Sequence, residues 1–453
     1  MTDYTDTILT PDVREILQSE YERSNIQSIF KNILIPDFEY RSNSISHQCN
    51  LLGEFTEIGA SKHLELAVYE INLVPHAYKK RIFITQQVFK ILREFKRDNS
   101  IVIFNTGDGK YRLSLFTSKW EYNPITSKVS NTPSNQRRFS FPLGIGTKIK
   151  TPYEFLIKKG KINDVNELLE RFSLQLLNKQ FYEEMQRVFT QLTGGEFLGV
   201  KHKVLLKLKY RDPPSIDSPN VVTHMRLAIK LISRIIVCKF LCEMKSENGL
   251  PLMNEELLSE DAVIESKGNY YYDVLMPLFF EVLNRSQEDR LDSIKTDPRY
   301  TNIPCLSGGL FSPQVDDGYA NSERGAVSDV DVFIPNSWLA TFFGILNEYN
   351  FIPDENTPYD SEISIDPEML GQIFENLLAT IDPDTDESAR KSTGSFYTPR
   401  EIVDYMVSAS ICEYLKSKTG IKEYLLRNLI SYESANETLF KLSIDDVSNI
   451  VSA

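Results

Sequence analysis

The sequence is poor in cysteine and tryptophan and has no long uncharged apolar run. Five cysteines and two tryptophans occur among 453 residues. So few cysteines, odd in number, do not indicate a disulfide framework and are typical of a reducing compartment. The longest apolar stretch, residues 227–242, is interrupted by Lys230, Arg234 and Lys239, which argues against a membrane span. The first ten residues hold two aspartates and no basic residue, unlike a secretory signal. We therefore expect a cytoplasmic protein without a membrane partner.

Positive charge is scarce only in the second half of the chain. The formal net charge of −13 by itself argues against a nucleic-acid partner. Residues 1–250, however, hold 36 Lys and Arg against 27 Asp and Glu, a balance of +9, whereas residues 251–453 hold 14 against 36, a balance of −22. This asymmetry indicates that the first half faces nucleic acid. The alternative is that charge simply varies between domains.

The pattern of apolar residues changes from α/β to helical along the chain. Leu64, Leu66 and Val68 alternate with polar residues as in a strand, a helix is expected over 86–97, and Gly107-Asp108-Gly109 predicts a hairpin turn. Apolar residues at helical spacing dominate the middle of the chain. We therefore predict a multidomain fold that is α/β at first and all-α afterwards. The predicted units are an N-terminal helix or tail over 1–28, an α/β domain over 29–160, a helical connector over 161–300, a further connector with an irregular loop and a linker over 301–390, and the start of another domain over 391–453.

One segment, residues 391–407 (KSTGSFYTPREIVDYMV), has the sequence of a well-defined helix start. Thr398 is a candidate N-cap, Pro399 suits the first turn, and Glu401 completes a capping box. The apolar residues that follow at helical spacing predict a buried face, formed by Ile402, Val403, Met406 and Val407.

The loop before this helix, residues 394–398, is expected to present free backbone N–H groups at the positive end of the helix dipole. Such an end suits a small anion such as a carboxylate. Phe396 and Tyr397 add apolar and π surface beside it. A zwitterionic amino-acid group with an apolar neighbour fits this arrangement. The alternative is an ordinary capped helix with two core aromatic residues.

The string GSFYTP at residues 394–399, followed by Ile402 and Val403, resembles motif X of the γ-class N6-adenine DNA methyltransferases. It is similar to the fused proteins of type IIG restriction–modification and phage-defence systems. The resemblance implies that this loop contacts S-adenosylmethionine, that the first helix of a Rossmann-like methyltransferase domain follows, and that the partners are double-stranded DNA and proteins of a defence system. The implied cofactor-binding residues are Gly394, Ser395, Phe396, Tyr397, Thr398 and Pro399.

Further segments resemble the same family in the same order along the chain. They cover patches of residues 50–410 and are LGE at 52–54, RRFSFPLG at 137–144, NYYYDVLMPLFFEVL at 269–283, IPCLSGGLF at 303–311 and DPEMLGQIFENLL at 366–378.

Two family motifs have no counterpart in the sequence. They are the Asp-Pro-Ala-Cys-Gly-Ser-Gly loop, which cradles the cofactor, and Asn-Pro-Pro-Tyr, which holds the flipped adenine. Residues 212–215 (DPPS) are similar to the second motif but precede motif X and lack the aromatic residue that stacks on a flipped base. We interpret them as a turn. We expect the chain to be the N-terminal portion of a longer protein and to be inactive as a methylase by itself.

Fused enzymes of this type often carry a PD-(D/E)xK nuclease at the N-terminus. That chemistry needs carboxylates around Mg²⁺ and a lysine near the attacking water. Glu54 and Glu70 are the candidate catalytic residues, with Glu70-Ile71-Asn72 where Glu-x-Lys is expected. Because Asn72 replaces the lysine, a degenerate or unrelated α/β module is the alternative, and Mg²⁺ is expected only if the domain is a nuclease. No other metal site is indicated.

Basic residues in the first half are candidates for contact with DNA phosphates. Arg137 and Arg138 stand beside two phenylalanines, and lysines alternate along residues 200–211, which places them on one face of a predicted strand. Such residues confer salt-dependent affinity without sequence specificity. A solvated basic face is the alternative. The candidate DNA-binding residues are Arg137, Arg138, Lys201, Lys203, Lys207 and Lys209.

Overall fold

The computed structural model describes most of the chain, with gaps. The described residues are 10–74, 80–118, 121–123, 128–130, 136–210, 221–306, 308–353, 360–379, 400–430 and 450. Within this part, no helix combines the length and apolar character that a membrane crossing requires.

A seven-stranded sheet dominates the N-terminal part. Its strands are β1 (Glu39–Ile45), β2 (Leu52–Ser61), β3 (Leu66–Leu73), β4 (Asn99–Asn105), β5 (Lys110–Thr117), β8 (Arg137–Gly144) and β13 (Asp360–Glu362), which lie side by side in this order. The pairs β3–β4 and β8–β13 are parallel, and all other neighbours are antiparallel. The predicted hairpin is confirmed: β4 and β5 pair through a turn in which Gly107 and Gly109 have φ of 73° and 81°.

Three two-stranded ribbons lie outside this sheet in the described part of the chain. One pairs β6 (Glu121–Asn123) with β7 (Lys128–Ser130), one pairs β9 (Gly195–Phe197) with β10 (Val200–His202), and one pairs β11 (Lys207–Tyr210) with β12 (Val330–Phe333). All three are antiparallel.

Helices account for most of the remaining described chain. Their bounds are α1 (Thr10–Gln18), α2 (Arg23–Ile29), α3 (Arg81–Glu94), α4 (Lys150–Pro152), α5 (Val165–Arg171), α6 (Leu174–Thr193), α7 (Val221–Glu243), α8 (Glu260–Glu265), α9 (Asp292–Lys295), α10 (Asn336–Asn347), α11 (Pro367–Ala379), α12 (Arg400–Thr419) and α13 (Glu423–Ile430). π-helical turns at Phe30–Leu34, Tyr153–Ile157, Tyr271–Leu275 and Leu278–Val282 extend this set, and 3₁₀ turns lie at Glu255–Leu258, Gly309–Phe311, Val315–Asp317 and Ser322–Arg324.

The sheet buries both of its faces, which explains why its central strands carry apolar residues at successive positions. On one face, Tyr69 and Val102 pack against Val88 and Phe89 of α3. On the other face, a larger core joins the sheet to the N-terminal helices and to the helical region. The described part is therefore a mixed α/β structure in which helices cover a large sheet.

The helical region is organised around α7, as its apolar sequence predicts. Arg234 in the middle of α7 is 1% exposed and reaches across to the irregular segment after residue 300. Its guanidinium makes a bidentate pair with Asp317, at 2.7 and 3.0 Å, and donates to the Leu310 carbonyl at 2.7 Å. A buried charge is tolerated there because every strong donor faces an acceptor.

Two features of the fold differ from the sequence predictions. The short strand β13 joins the sheet from residues 360–362, so the sheet crosses the predicted boundary at residue 160. The predicted buried face of α12 is wrong, since Ile402, Val403, Met406 and Val407 are 49%, 41%, 57% and 50% exposed. The predicted helix is present, but no described element covers that face.

Candidate nucleic-acid interface and the Glu70 cluster

Glu70 on β3 lies under the N-terminal helices. Its carboxylate is held in a bidentate pair by Arg23 of α2, with Nε–Oε2 and Nη2–Oε1 distances of 2.9 and 2.8 Å. The hydroxyl of Tyr21 donates to Oε2 at 2.5 Å. Glu70 is 4% exposed, so these two side chains occupy the directions from which a cation would approach it. Arginine thus supplies the positive charge at this carboxylate.

The other residues of the predicted nuclease motif do not complete a Mg²⁺ site in this arrangement. Asn72 accepts a hydrogen bond from the Asn105 amide at 3.0 Å. Glu54 is exposed and accepts from Thr56, the residue that pairs with Glu70 across β2 and β3. Among the described residues, no three His, Cys, Asp or Glu side chains are grouped to hold a metal. The geometry therefore does not fit Mg²⁺ at Glu70, and we derive no cleavage step from it.

The Glu70 cluster shifts the pKa values of its members in opposite directions. Burial raises the pKa of the Glu70 carboxyl, but the hydrogen bonds from Arg23 and Tyr21 outweigh burial, and the net result is a pKa below the ordinary 4.5. Burial and the neighbouring carboxylate raise the pKa of Tyr21 far above its ordinary value. At neutral pH, Glu70 is therefore ionised and Tyr21 is a neutral donor.

Arg138, a predicted DNA contact, is buried between the sheet and α3. It is 2% exposed. Its guanidinium lies 3.7 Å from Asp360, donates to Thr85 at 2.9 Å and to Ser114 at 3.2 Å, and stacks 4.3 Å from the centre of the Phe104 ring. Burial lowers the pKa of Arg138 to about 10, which leaves it charged at neutral pH. A DNA phosphate has no access to this side chain, so its prediction as a DNA contact is corrected to a role in the core.

The charges around Arg138 form a network that fastens β13 to the sheet. Arg81 at the start of α3 makes a bidentate pair with Asp360, at 2.7 and 3.2 Å. Arg112 on β5 lies 3.3 Å from Glu362. Three arginines thus face two buried carboxylates, Asp360 and Glu362, which indicates a structural function for this group. Arg137, the neighbour of Arg138 on β8, points to the opposite face of the sheet and is exposed.

Three of the four candidate lysines lie on the two ribbons of the helical region, the fourth directly follows β10, and all four are exposed. Lys201 is on β10, Lys203 follows it, and Lys207 and Lys209 share the outer face of β11. None of them forms an ion pair within the described part of the chain. The alternating lysines predict one strand over 200–211. The structure divides it into two strands of different ribbons, because Leu206 turns inward and is 1% exposed.

Acidic residues near these lysines are few. Glu196 pairs across the first ribbon with Lys201, and Asp331 pairs across the second with Lys209. The Lys207 ammonium lies 5.9 Å from the centre of the Phe333 ring, which is half exposed. The outer surface of the two ribbons is therefore cationic with apolar and aromatic groups between the charges.

The predicted cofactor loop, residues 394–399, lies outside the described residues, as does the predicted turn at 212–215. The helix that follows the loop is described from Arg400 and runs for 20 residues. It packs on α13 through a small core of Cys412, Ile421 and Leu426. Most of its other large apolar side chains face solvent, including Tyr405 at 68% exposure.

Comparison with known proteins identifies one informative similarity. No protein-family model matches the chain, and no solved structure matches it significantly. The chain is similar to a candidate type II restriction enzyme and methyltransferase of Methanocaldococcus jannaschii, with 26% identity over 328 residues. The aligned part is 64% of this chain and 26% of the relative. The chain thus spans about a quarter of the length of the curated relative it matches.

Proposed function

We propose that this chain is the N-terminal portion of a site-specific DNA adenine-N6 methyltransferase that uses S-adenosylmethionine in a restriction–modification or phage-defence system. The observation that carries the proposal is the similarity over 328 residues to a relative named for restriction and methylation. The motif X string at residues 394–399 supports the methyltransferase half of that name and the choice of cofactor.

In this proposal, residues 394–399 hold the methionine end of the cofactor. S-adenosylmethionine supplies the methyl group. The chain contributes the backbone N–H groups of residues 394–398, which meet the cofactor carboxylate at the start of the helix, and the aromatic residues Phe396 and Tyr397 beside it. Pro399 has no N–H to donate and instead fixes the backbone of the first helical turn. The 20-residue helix that starts beside this loop gives the dipole a fixed direction.

The proposal also gives the exposed side of α12 a function. Ile402, Val403 and Met406 are about half exposed, and apolar groups clustered in this way mark an interaction surface. A Rossmann-like methyltransferase domain is the expected partner of that face. In this proposal, residues 1–453 do not methylate DNA without that domain, because they contain neither the cofactor-cradling loop nor the adenine-binding motif.

We propose that the N-terminal sheet is a degenerate nuclease-like or unrelated DNA-binding module. Arg23 on Glu70 and the asparagine at position 72 favour this alternative over a Mg²⁺-dependent endonuclease. Phosphate contact is assigned to Arg137 and to the four lysines of the ribbons, which are exposed.

The cofactor assignment is tested by titrating S-adenosylmethionine calorimetrically into the intact protein. We expect Phe396→Ala and Tyr397→Ala each to weaken binding about tenfold, the effect of losing roughly 1.4 kcal/mol of contact. Tyr405→Ala is the matched control, since Tyr405 is an exposed aromatic residue on the adjoining helix. Unchanged affinity in the first two variants would contradict the assignment of motif X.

A further inference from the structure

The hairpin formed by β9 and β10 has a tip that neither turn chemistry nor packing explains. Leu198 and Gly199 form the two-residue tip, with φ of 49° and 79°. Two-residue hairpins of this kind favour Asn-Gly, since positive φ is unfavourable for a residue with a branched, bulky side chain. Leu198 is nevertheless 80% exposed, so its side chain gains nothing from the fold.

The base of the hairpin is firmly attached to the helical region. The backbone N–H groups of Leu205 and Leu206 both donate to the Leu192 carbonyl at the end of α6, at 3.1 and 3.0 Å. Leu206 is buried, and the Gly194 position leaves less than 3 Å between an added Cβ and Val204. The tip is therefore held away from the body of the protein on a fixed support.

The surroundings of the tip combine apolar groups with positive charge that forms no ion pair within the described residues, while Glu196 lies opposite Lys201 across the hairpin. Val200 and Val204 are 56% and 51% exposed, and Lys201 and Lys203 lie between them on either side of His202. Lys207 and Lys209 extend the same charge on the neighbouring ribbon. A surface with this charge suits a polyanion beside the tip, whereas an apolar protein partner would bring no counter-charge to the ammonium groups.

We propose that this hairpin is a wedge that inserts Leu198 between base pairs of duplex DNA while Lys201 and Lys203 bind the flanking phosphates. Proteins that unstack a base step use an apolar side chain in this way, with cationic groups on the backbone beside it. The inference rests on the proposed function, for which an enzyme acting on a base inside the duplex must first unstack it.

The experiment uses the full chain and a duplex that carries 2-aminopurine, whose fluorescence rises when it loses its stacking neighbours. Binding is followed by anisotropy at several salt concentrations. Leu198→Asn keeps a residue that tolerates positive φ but removes the apolar side chain. We expect it to weaken binding about tenfold, to abolish the fluorescence rise and to leave the salt dependence unchanged.

Two controls separate the wedge from simple charge attraction. The double variant Lys201→Ala/Lys203→Ala is expected to lower the slope of log affinity against log salt by about 0.9 per lysine, or roughly 1.8 in all. Ile264→Asn replaces a leucine-sized residue that is 67% exposed on the acidic helix α8, and it is expected to change neither signal. Thermal unfolding checks that all variants fold.

The outcomes distinguish the wedge from the proposed function. If the lysine variant weakens binding but Leu198→Asn keeps both affinity and fluorescence, the wedge is overturned and DNA contact stands. If the wild-type chain binds no duplex even at low salt, DNA contact through the ribbons is overturned and the wedge with it. Preference for single-stranded DNA, unaffected by Leu198→Asn, also overturns the wedge.

Discussion

Positive side chains beside Asp360 and Glu362 in the seven-stranded sheet are buried or partly buried and paired, but the lysines on the two ribbons of the helical region are exposed and, among the described residues, outside any ion pair. Arg138 is 2% exposed, faces Asp360 and is stacked on an aromatic ring. Lys201 and Lys207 are exposed and lie apart from any acidic partner within ion-pair distance in the described part of the chain. A buried cation must have its partners within the protein, whereas an exposed one can exchange water for a ligand. The first region therefore uses charge for architecture, and the second has charge available for binding.

The sharpest test of this contrast is a pair of neighbouring residues on β8. Arg138→Ala is expected to destabilise the protein by about 3–5 kcal/mol, because it leaves Asp360 and Glu362 buried with less positive charge around them. Arg137→Ala is the matched control, since Arg137 is exposed on the same strand, and it should change stability by less than about 0.5 kcal/mol. Urea unfolding measures both. Equal effects would remove the distinction between the two arginines.

The next largest loss of stability is expected at Glu70, and this loss depends on pH. The pKa of Glu70 is lower in the folded protein than its ordinary value, so its ionised form stabilises the fold above about pH 4.5 and this contribution is lost as pH falls through the folded-state pKa. Glu70→Gln is expected to cost about 1.5–3 kcal/mol at pH 7, the range for hydrogen bonds to charged groups.

The same variant predicts a change in acid sensitivity. Stability measured between pH 7 and pH 3 should fall less steeply in Glu70→Gln than in the wild type, since the variant has no carboxyl to protonate there. Glu54→Gln is the control, because that carboxylate is exposed on the same face. Parallel pH curves for wild type and Glu70→Gln would show that Arg23 and Tyr21 do not stabilise the ionised form.

A smaller effect is expected on β11. Lys207→Ala and Lys209→Ala should each weaken duplex binding to the same extent on unrelated sequences and reduce the salt slope by about 1. Protein stability should stay the same, because both side chains are exposed on the ribbon. A loss of stability together with unchanged DNA binding would place these lysines with Arg138 as structural residues.

The smallest expected effect is on DNA cleavage. Supercoiled plasmid incubated with Mg²⁺ should remain uncut by the wild type and by Glu70→Ala. In the wild type the Glu70 carboxylate is paired with Arg23, and in Glu70→Ala the carboxylate is absent. Arg23→Ala exposes Glu70 but supplies no lysine at position 72, so it should not cut either. Nicking by the wild type that disappears in Glu70→Ala would establish the endonuclease instead.

Local patterns predicted many of the individual elements. The turn at Gly107-Asp108-Gly109 and the helix along α7 are confirmed. A strand includes Val68 as predicted, but it begins at Leu66, after a turn that holds Leu64, and its residues are buried at successive positions and not alternately. These signals work because they depend on residues close together in the sequence. The strand β13 was missed, since three polar or acidic residues do not resemble a strand. Its charges are paired only after Arg81, Arg112 and Arg138 reach it from distant segments.

At the candidate site, too, the sequence predicted the residue types but not their burial. The sequence located the basic residues, and exposure confirmed that Arg137 and the four lysines are accessible. It could not show that Arg138 is buried, because alternation along a strand does not reveal which face meets a helix. Nor did it single out Leu198, although a leucine followed by glycine at a tight turn, with lysines on one side, is a recognisable signal.

By itself, the sequence determined the change from α/β to helical structure, the charge asymmetry between the two halves and the motif X resemblance at residues 394–399, because these depend on residue identity and short spacing. Only the tertiary structure decided which charges are neutralised. Arg23 meets Glu70 across 47 positions, and Arg81 meets Asp360 across 279. Whether a charge stabilises the fold or remains available for a ligand depends on such distant partners and on the water they exclude.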